Sequence, residues 1–229
     1  MSAYVEGSLS SSKREALAEM HIVELLHSLA RNTCDTIREV DVLLNDLSEG
    51  KVEIIKAKHP RVRNFKNMSE EMKSRILEYI VRVSPSLINK DIYIKIAYDL
   101  EKVAQLMNGI THRLLILASR NLLPTQRIGR NMSDFMKTLI EEFEILRKAI
   151  LMITVNPRKT IDDCKSVFKI EDELDDRYRT LEVELYETQQ DNLLLVMLLK
   201  EIIEMMEDSA DLTKDAAEHL MYIAMHKLP

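Results

Sequence analysis

The sequence predicts an all-α protein of six long antiparallel helices, arranged as two tandem three-helix bundles. Its 229 residues include only 4 Gly and 5 Pro, which leaves little room for the many turns of a β protein. The 13 Met residues, together with abundant Leu, Ile, Glu and Lys, favour helices. Chain breaks in the first half recur about 106 residues later, and such a recurrence is typical of a repeated unit.

The first half of the chain is predicted to form a tail and one bundle. The Ser-rich residues 1–12 are expected to be a disordered N-terminal tail, and residues 13–122 the first three-helix bundle. Apolar stripes at three-to-four-residue spacing predict helices over about residues 13–48, 51–83 and 89–121. Gly50 should end the first helix, and Pro60 should break or kink the second helix or begin its second piece.

The second half, residues 123–229, is predicted to form the second three-helix bundle. Its fourth helix should follow the turn at Pro124 and end at the Asn156-Pro157 break. The fifth and sixth helices should cover about residues 160–187 and 191–226. Short connections of this kind place neighbouring helices antiparallel.

Composition excludes several classes of protein. The net charge of −6 argues against nucleic acid as the main partner, although residues 51–75 hold eight Lys or Arg against three Glu. The two isolated Cys form no CxxC motif, so zinc-finger and thioredoxin functions are not expected. Neither a signal-peptide pattern nor a membrane-length apolar run is present, which predicts a cytoplasmic location.

The sequence shows no catalytic machinery. The phosphate-loop pattern GxxxxGK[ST] and the dinucleotide pattern GxGxxG are both absent. The six His are scattered, and none lies beside an obvious Ser or Cys nucleophile with a supporting acid. We therefore expect the protein not to be an enzyme.

One acidic spacing recurs on the fifth and sixth predicted helices. Glu171 and Asp175 are four residues apart, as are Glu207 and Asp211, with Asp215 four further on. Residues at this spacing share a helix face, where like charges repel each other. A hard cation bound by carboxylate oxygens is the simplest use for such pairs.

Helical geometry places these acids differently. Glu171 falls in the middle of the apolar stripe of its own helix, where a carboxylate must be paired or bind a metal. Glu207 falls at the edge of the apolar stripe of the sixth helix, and Asp211 lies one step toward solvent. The alternatives are a salt bridge from Glu171 to a Lys or Arg, and a solvated acidic face on the sixth helix.

The two acidic segments resemble a known family. The segments KIEDELDDRYRTLEVEL and LLKEIIEMMEDSADLTKDAAEHL, within about residues 165–220, are similar to the second half of PhoU-like proteins, and more narrowly to the branch that accompanies Pit-type phosphate permeases. The resemblance in helical layout extends over about residues 13–227. It implies regulation of inorganic phosphate transport through contact with a phosphate permease or a phosphate-signalling protein. Membrane contact would occur only through that partner, and homo-oligomerisation stays open.

The resemblance also implies a metal site in the second bundle. The family motif falls on Glu171, Asp175, Glu207 and Asp211, and Asp215 extends it. Oxygen ligands favour a divalent ion such as Mg, Mn or Ca, and the resemblance adds iron, divalent or trivalent, and zinc.

The first half departs from this motif. Glu101 corresponds to Glu207, but Gln105 stands four residues later. At the same 106-residue shift, Arg or Lys lies near positions 63–66, in place of the Glu171 and Asp175 pair. The metal motif of the first bundle is therefore interpreted as degenerate. Our hypothesis is that the basic stretch 51–75 replaces metal charge with fixed cations, or faces a phosphate or a partner.

Two other functions are compatible with the sequence. A ferritin-like di-metal site needs two Glu-x-x-His motifs, and the chain offers one, Glu24 with His27. A metal-free helical adaptor would carry all its acids on solvated faces.

Overall fold

The computed structural model describes residues 2–84, 87–188 and 192–228, with side chains from residue 13 onward. These ranges form six α-helices, which confirms the predicted all-α class with three helices in each half. The helices are α1 (Ser2–Ser48), α2 (Val52–Val83), α3 (Lys90–Ser119), α4 (Gln126–Met152), α5 (Pro157–Thr188) and α6 (Leu193–His226).

Helix α1 is longer than the sequence predicts. It begins at Ser2, so the backbone of residues 2–12 is helical where we expected a disordered tail. This segment contains no Pro, and once a helix is nucleated each added residue extends it at little cost in free energy. The packed part of α1 supplies that nucleus, because Ile22, Leu26 and Leu29 are fully buried.

Helix α2 continues through Pro60, so the predicted break does not occur. A proline inside a helix leaves the carbonyl four residues earlier without its donor. Here Pro60 and Lys56 are both exposed, and water can hydrogen-bond the free carbonyl of Lys56. The position of the proline on the outer face of α2 therefore explains why the helix is not interrupted.

Gly50 makes the turn between α1 and α2, as predicted. Its φ of 71° lies in the left-handed region, which side chains other than glycine rarely adopt. The Gly50 N–H donates to the Leu47 carbonyl (2.9 Å), and the Lys51 N–H donates to the Asp46 carbonyl (2.8 Å). These bonds satisfy carbonyls at the end of α1 and direct the chain into α2.

The six helices share one hydrophobic core. Helices α1, α2 and α3 pack on one another, as do α4, α5 and α6. The two sets of three are joined by packing of α3 on α6 and of α1 on α4. Buried residues of both halves belong to the same apolar cluster, in which Tyr93, Phe135 and Phe143 are the largest fully buried side chains.

The interface between α3 and α6 is close and partly polar. A Cβ atom at Gly109 would lie 2.9 Å from Met205 Sδ, so the missing side chain lets the helices approach each other. His219 Nδ1 lies 3.0 Å from Asp99 Oδ2, and Arg113 donates to Glu201. None of the helices in the described part of the chain combines the length and apolar character needed to cross a bilayer.

Candidate metal centre

Three of the predicted metal ligands come together between α5 and α6. Glu171 and Asp175 on α5 and Asp211 on α6 each place one carboxylate oxygen within 4.8 Å of the others. The i, i+4 spacing aligns the first two on one face of α5, and the packing of α6 on α5 brings up the third. Glu171 is 4% exposed, whereas Asp175 is half-buried and Asp211 is exposed.

A lysine already neutralises part of this carboxylate group. Lys214 Nζ donates to Glu171 Oε2 over 2.9 Å, and the Lys214 side chain is 33% exposed. Arg179 pairs with Asp175 at 2.8 Å on the outer side of α5. The salt bridge that the sequence offered as an alternative for Glu171 is therefore present, with Lys214 as the partner.

A fourth carboxylate, which the sequence analysis did not single out, lies beside this group. Glu142 on α4 is 0% exposed, and neither of its oxygens has a hydrogen-bond partner among the described residues. The available signal was its position three residues after Leu139 and four before Leu146, on the apolar stripe of α4. A buried carboxyl group without partners is costly when it is charged, and protonation reduces that cost.

Burial and mutual repulsion raise the pKa values of the clustered acids. Burial raises the pKa of Glu142 well above its usual range, and the charges of Glu171 and Asp211 raise it further. Burial also raises the pKa of Glu171 and of Asp211, against the effect of Lys214. Glu171 and Asp211 also act on each other, raising the pKa of Glu171 and lowering that of Asp211.

The remaining two predicted ligands, Glu207 and Asp215, lie outside the group of three. Glu207 is half-buried, and burial followed by the charges of Asp211 and Asp208 raises its pKa to about 7. It therefore belongs to the same electrostatic cluster without joining the 4.8 Å group. Asp215 is exposed, and its charge acts on Asp99 across the interface between α3 and α6.

In the first bundle, the acid that corresponds to Glu207 is Glu101, and protein side chains bind both of its carboxylate oxygens. Glu101 on α3 is 2% exposed, and its Oε2 accepts from Lys73 Nζ on α2 over 2.8 Å. The Gln105 amide, at the position where the motif would have an Asp, donates to the other oxygen. Lys73 belongs to the basic stretch 51–75, so a fixed cation from this stretch balances Glu101.

The single Glu-x-x-His motif contributes to no such group. The Glu24 side chain is 69% exposed and pairs with His21, and His27 Nε2 contacts Arg147. In the ranges that the structure describes, these residues lie apart from the carboxylates of α5 and α6. The sequence contains no second Glu-x-x-His motif for a ferritin-like site.

The donor set fits a hard cation. Glu171, Asp175 and Asp211 offer oxygen atoms only, from two rigid helices, and such ligands suit Mg, Ca or Mn. Lys214 occupies one side of the group with a positive charge, so an added ion must compete with it or bind on the Asp175 side. Glu142 lies beside the group with its pKa raised, and a nearby cation would favour its ionised form, which could then add negative charge.

The raised pKa values predict how stability changes with pH when no metal is bound. Carboxyl groups whose pKa is higher in the folded state bind more protons folded than unfolded, so stability is lost as pH rises. We expect the melting temperature of chelator-treated protein to fall between about pH 5 and pH 8 because Glu207, with a pKa of about 7, ionises in this window. Calorimetry should show a shallower fall in Glu207→Gln, and equal slopes in both proteins would contradict the assignment.

Known proteins show similarity to this chain at the level of structure. No protein-family model matches the sequence, and no curated protein matches it either. A PhoU-like protein from Shewanella oneidensis superposes with a TM-score of 0.75 at 15% identity, over 90% of this chain and 99% of that one.

Two further solved structures also superpose on most of this chain. PhoU from Pseudomonas aeruginosa gives a TM-score of 0.70 at 15% identity, covering 89% of this chain and 99% of that one. The phosphate transport system regulatory protein PhoU from Streptococcus pneumoniae gives 0.65 at 19% identity, with 92% and 97% covered. The three-plus-three arrangement of helices is thus the fold of PhoU-like proteins.

Proposed function

We propose that this protein is a PhoU-like regulator of inorganic phosphate transport that acts by contact with a phosphate permease or its signalling partner. The observation that carries the proposal is the similarity of fold, which extends over about nine-tenths of the chain and nearly all of each PhoU-like structure. The Pit-type branch, a cytoplasmic location and a role without catalysis are parts of the same proposal, and they rest on the sequence.

The proposal includes a metal-dependent state of the second bundle. Glu171, Asp175 and Asp211 would hold the ion. Glu207 and Glu142, whose pKa values are raised, would add negative charge nearby as the ion favours their ionised forms. The ion would supply the positive charge that the clustered carboxylates lack. Because these carboxylates repel one another without it, metal binding and the stability of α5 and α6 are linked.

Metal titration tests this part of the proposal. We expect chelator-treated protein to bind Mn²⁺ or Mg²⁺ at the carboxylate group and to melt at a higher temperature once loaded. Glu171→Gln and Asp211→Asn should each reduce the affinity at least tenfold, since each removes a charged ligand. Glu218→Gln, which removes an exposed charge from the same helix as Asp211, is the control and should bind as the unmodified protein does.

Phosphate uptake tests the regulatory part. Cells that lack the protein should take up inorganic phosphate at an altered rate, and the unmodified chain should restore the original rate. A chain carrying Glu171→Gln together with Asp211→Asn should restore it incompletely if the metal-dependent state matters. Uptake that does not change when the protein is removed would overturn the proposed function.

A metal-free adaptor is the second candidate, and one contact favours it. Lys214 already pairs with the most buried of the three grouped carboxylates, Glu171, so a fixed cation could serve instead of an ion. Purified protein would then carry no stoichiometric metal, and chelator would leave its melting temperature unchanged. The titration above separates the two candidates.

A further inference from the structure

A basic cavity lies between α2 and α3, in the bundle that lacks the acidic motif. Its volume is about 340 Å³, within the range of small-molecule sites. Four of its lining residues lie on α2 and two on α3, and none of the six is acidic. They are His59, Arg63, Lys66, Asn67, Asn108 and His112.

Positive charge in this cavity is incompletely balanced. Lys66 pairs with Glu70, but within the described residues no carboxylate lies within 4.0 Å of the Arg63 guanidinium. The ring centroids of His59 and His112 are 6.5 Å apart, so imidazoles from both helices face the same space. Burial, His112 and Arg63 all lower the pKa of His59, which shows that its surroundings already disfavour further positive charge.

The hydrogen bonding of the cavity wall is also incomplete. Asn108 Oδ1 is buried and has no partner among the residues that the structure describes. The amide belongs to a wall that offers donors from guanidinium, ammonium, imidazole and carboxamide groups on two facing helices. A ligand with several acceptor oxygens pointing in different directions would use these donors, and reorientation of the Asn108 amide would bring its N–H groups to the ligand.

We propose that this cavity binds a small phosphate-bearing anion. Arginine recognises phosphate oxygens in pairs, and lysine adds a point charge. A tetrahedral phosphate group directs its oxygens toward both helices, whereas a carboxylate directs two oxygens in one plane. The cavity is about tenfold larger than the ~30 Å³ that one water occupies, so it has room for a diphosphate or a small phosphate ester. This inference goes beyond the proposed function and does not depend on the metal site.

Calorimetric titration of the full chain tests the proposal. The protein is first treated with chelator, so that metal at the α5–α6 carboxylates cannot bind the probe. Pyrophosphate, orthophosphate and citrate are titrated in turn at constant ionic strength. We expect pyrophosphate to bind at one site, and Arg63→Gln to weaken it about tenfold or more through loss of a charge-assisted contact.

The control variant is Arg75→Gln, which removes an exposed arginine from the same helix about three turns away and should change the affinity less than twofold. Tighter binding of pyrophosphate than of orthophosphate would assign a diphosphate-type ligand, and equal binding would assign a single phosphate group. The proposal is overturned if neither phosphate anion binds, if citrate binds as tightly as pyrophosphate, or if the two variants weaken binding equally.

Discussion

Glu142→Leu is expected to stabilise the metal-free protein by about 1–3 kcal/mol and to weaken metal binding. Leucine fits the apolar face on which Glu142 lies and removes a carboxyl group that is buried without partners. Because its pKa is raised in the folded state, the gain should grow as pH rises from the pKa of the unfolded chain to that of the folded state, and should shrink toward acid pH. Urea unfolding of both chelator-treated proteins at about pH 8 measures this gain in the free energy of unfolding.

The metal affinity of the same variant gives an independent result. Glu142 lies close enough to Glu171 and Asp211 for their charges to raise its pKa. A bound cation would favour its ionised form, so removal of Glu142 should raise the dissociation constant for Mn²⁺ several-fold. Glu141→Leu changes the exposed neighbouring acid and should alter neither quantity appreciably. A Glu142→Leu protein that is less stable than the unmodified chain, or that binds metal unchanged, would show that Glu142 has a different role.

Lys214→Met should have the opposite effect on the metal-free protein. It leaves Glu171, which is 4% exposed, without its cationic partner, and breaking a buried pair costs about 3–5 kcal/mol. The Lys214 side chain is one-third exposed, so we expect a smaller loss of about 2–3 kcal/mol in the free energy of unfolding. Added Mn²⁺ should restore most of it, because the ion can supply the missing positive charge.

Two further variants separate the effect of breaking the Lys214–Glu171 pair from the general effect of removing a lysine from α6. Lys200→Met removes a more exposed lysine of α6, paired with Glu204, and should cost less than about 1 kcal/mol. The double variant Lys214→Met with Glu171→Gln should recover most of the stability lost in Lys214→Met alone, since no unpaired charge remains. If the two changes simply add, Lys214 does not act through Glu171.

The sequence was sufficient to predict the fold because its signals are local and repeated. Apolar stripes gave the helices, and the scarcity of Gly and Pro made the few breaks conspicuous. The exceptions were Pro60 and residues 2–12, where solvation of a free carbonyl and extension from a packed helix outweigh local preference. Helical angles also indicated the burial of Glu171, since that depends on its own helix alone.

The candidate site could be predicted only in part because it depends on which helices meet. Nothing near Lys214 in the sequence indicates that it reaches Glu171 on another helix, 43 residues earlier. Glu142 belongs to a third helix, α4, and has no acidic residue four positions away, so no acidic pair marks it in the sequence. The cavity of the first bundle likewise joins His59 and Arg63 to residues of α3, although the basic composition of its α2 segment was visible beforehand.

Helix α6 packs on α5 in its own bundle and on α3 in the other bundle, so it can connect the two halves of the protein mechanically. One side of it carries Asp211 toward α5, and another holds His219 against Asp99 of α3, about two turns further along. If neutralisation of the acids moves α6, α3 would move with it or repack, because α3 is packed along α6. Helix α3 also carries Asn108 and His112, which line the basic cavity. A movement of α3 that begins at the acids of the second bundle would therefore change the shape of this cavity.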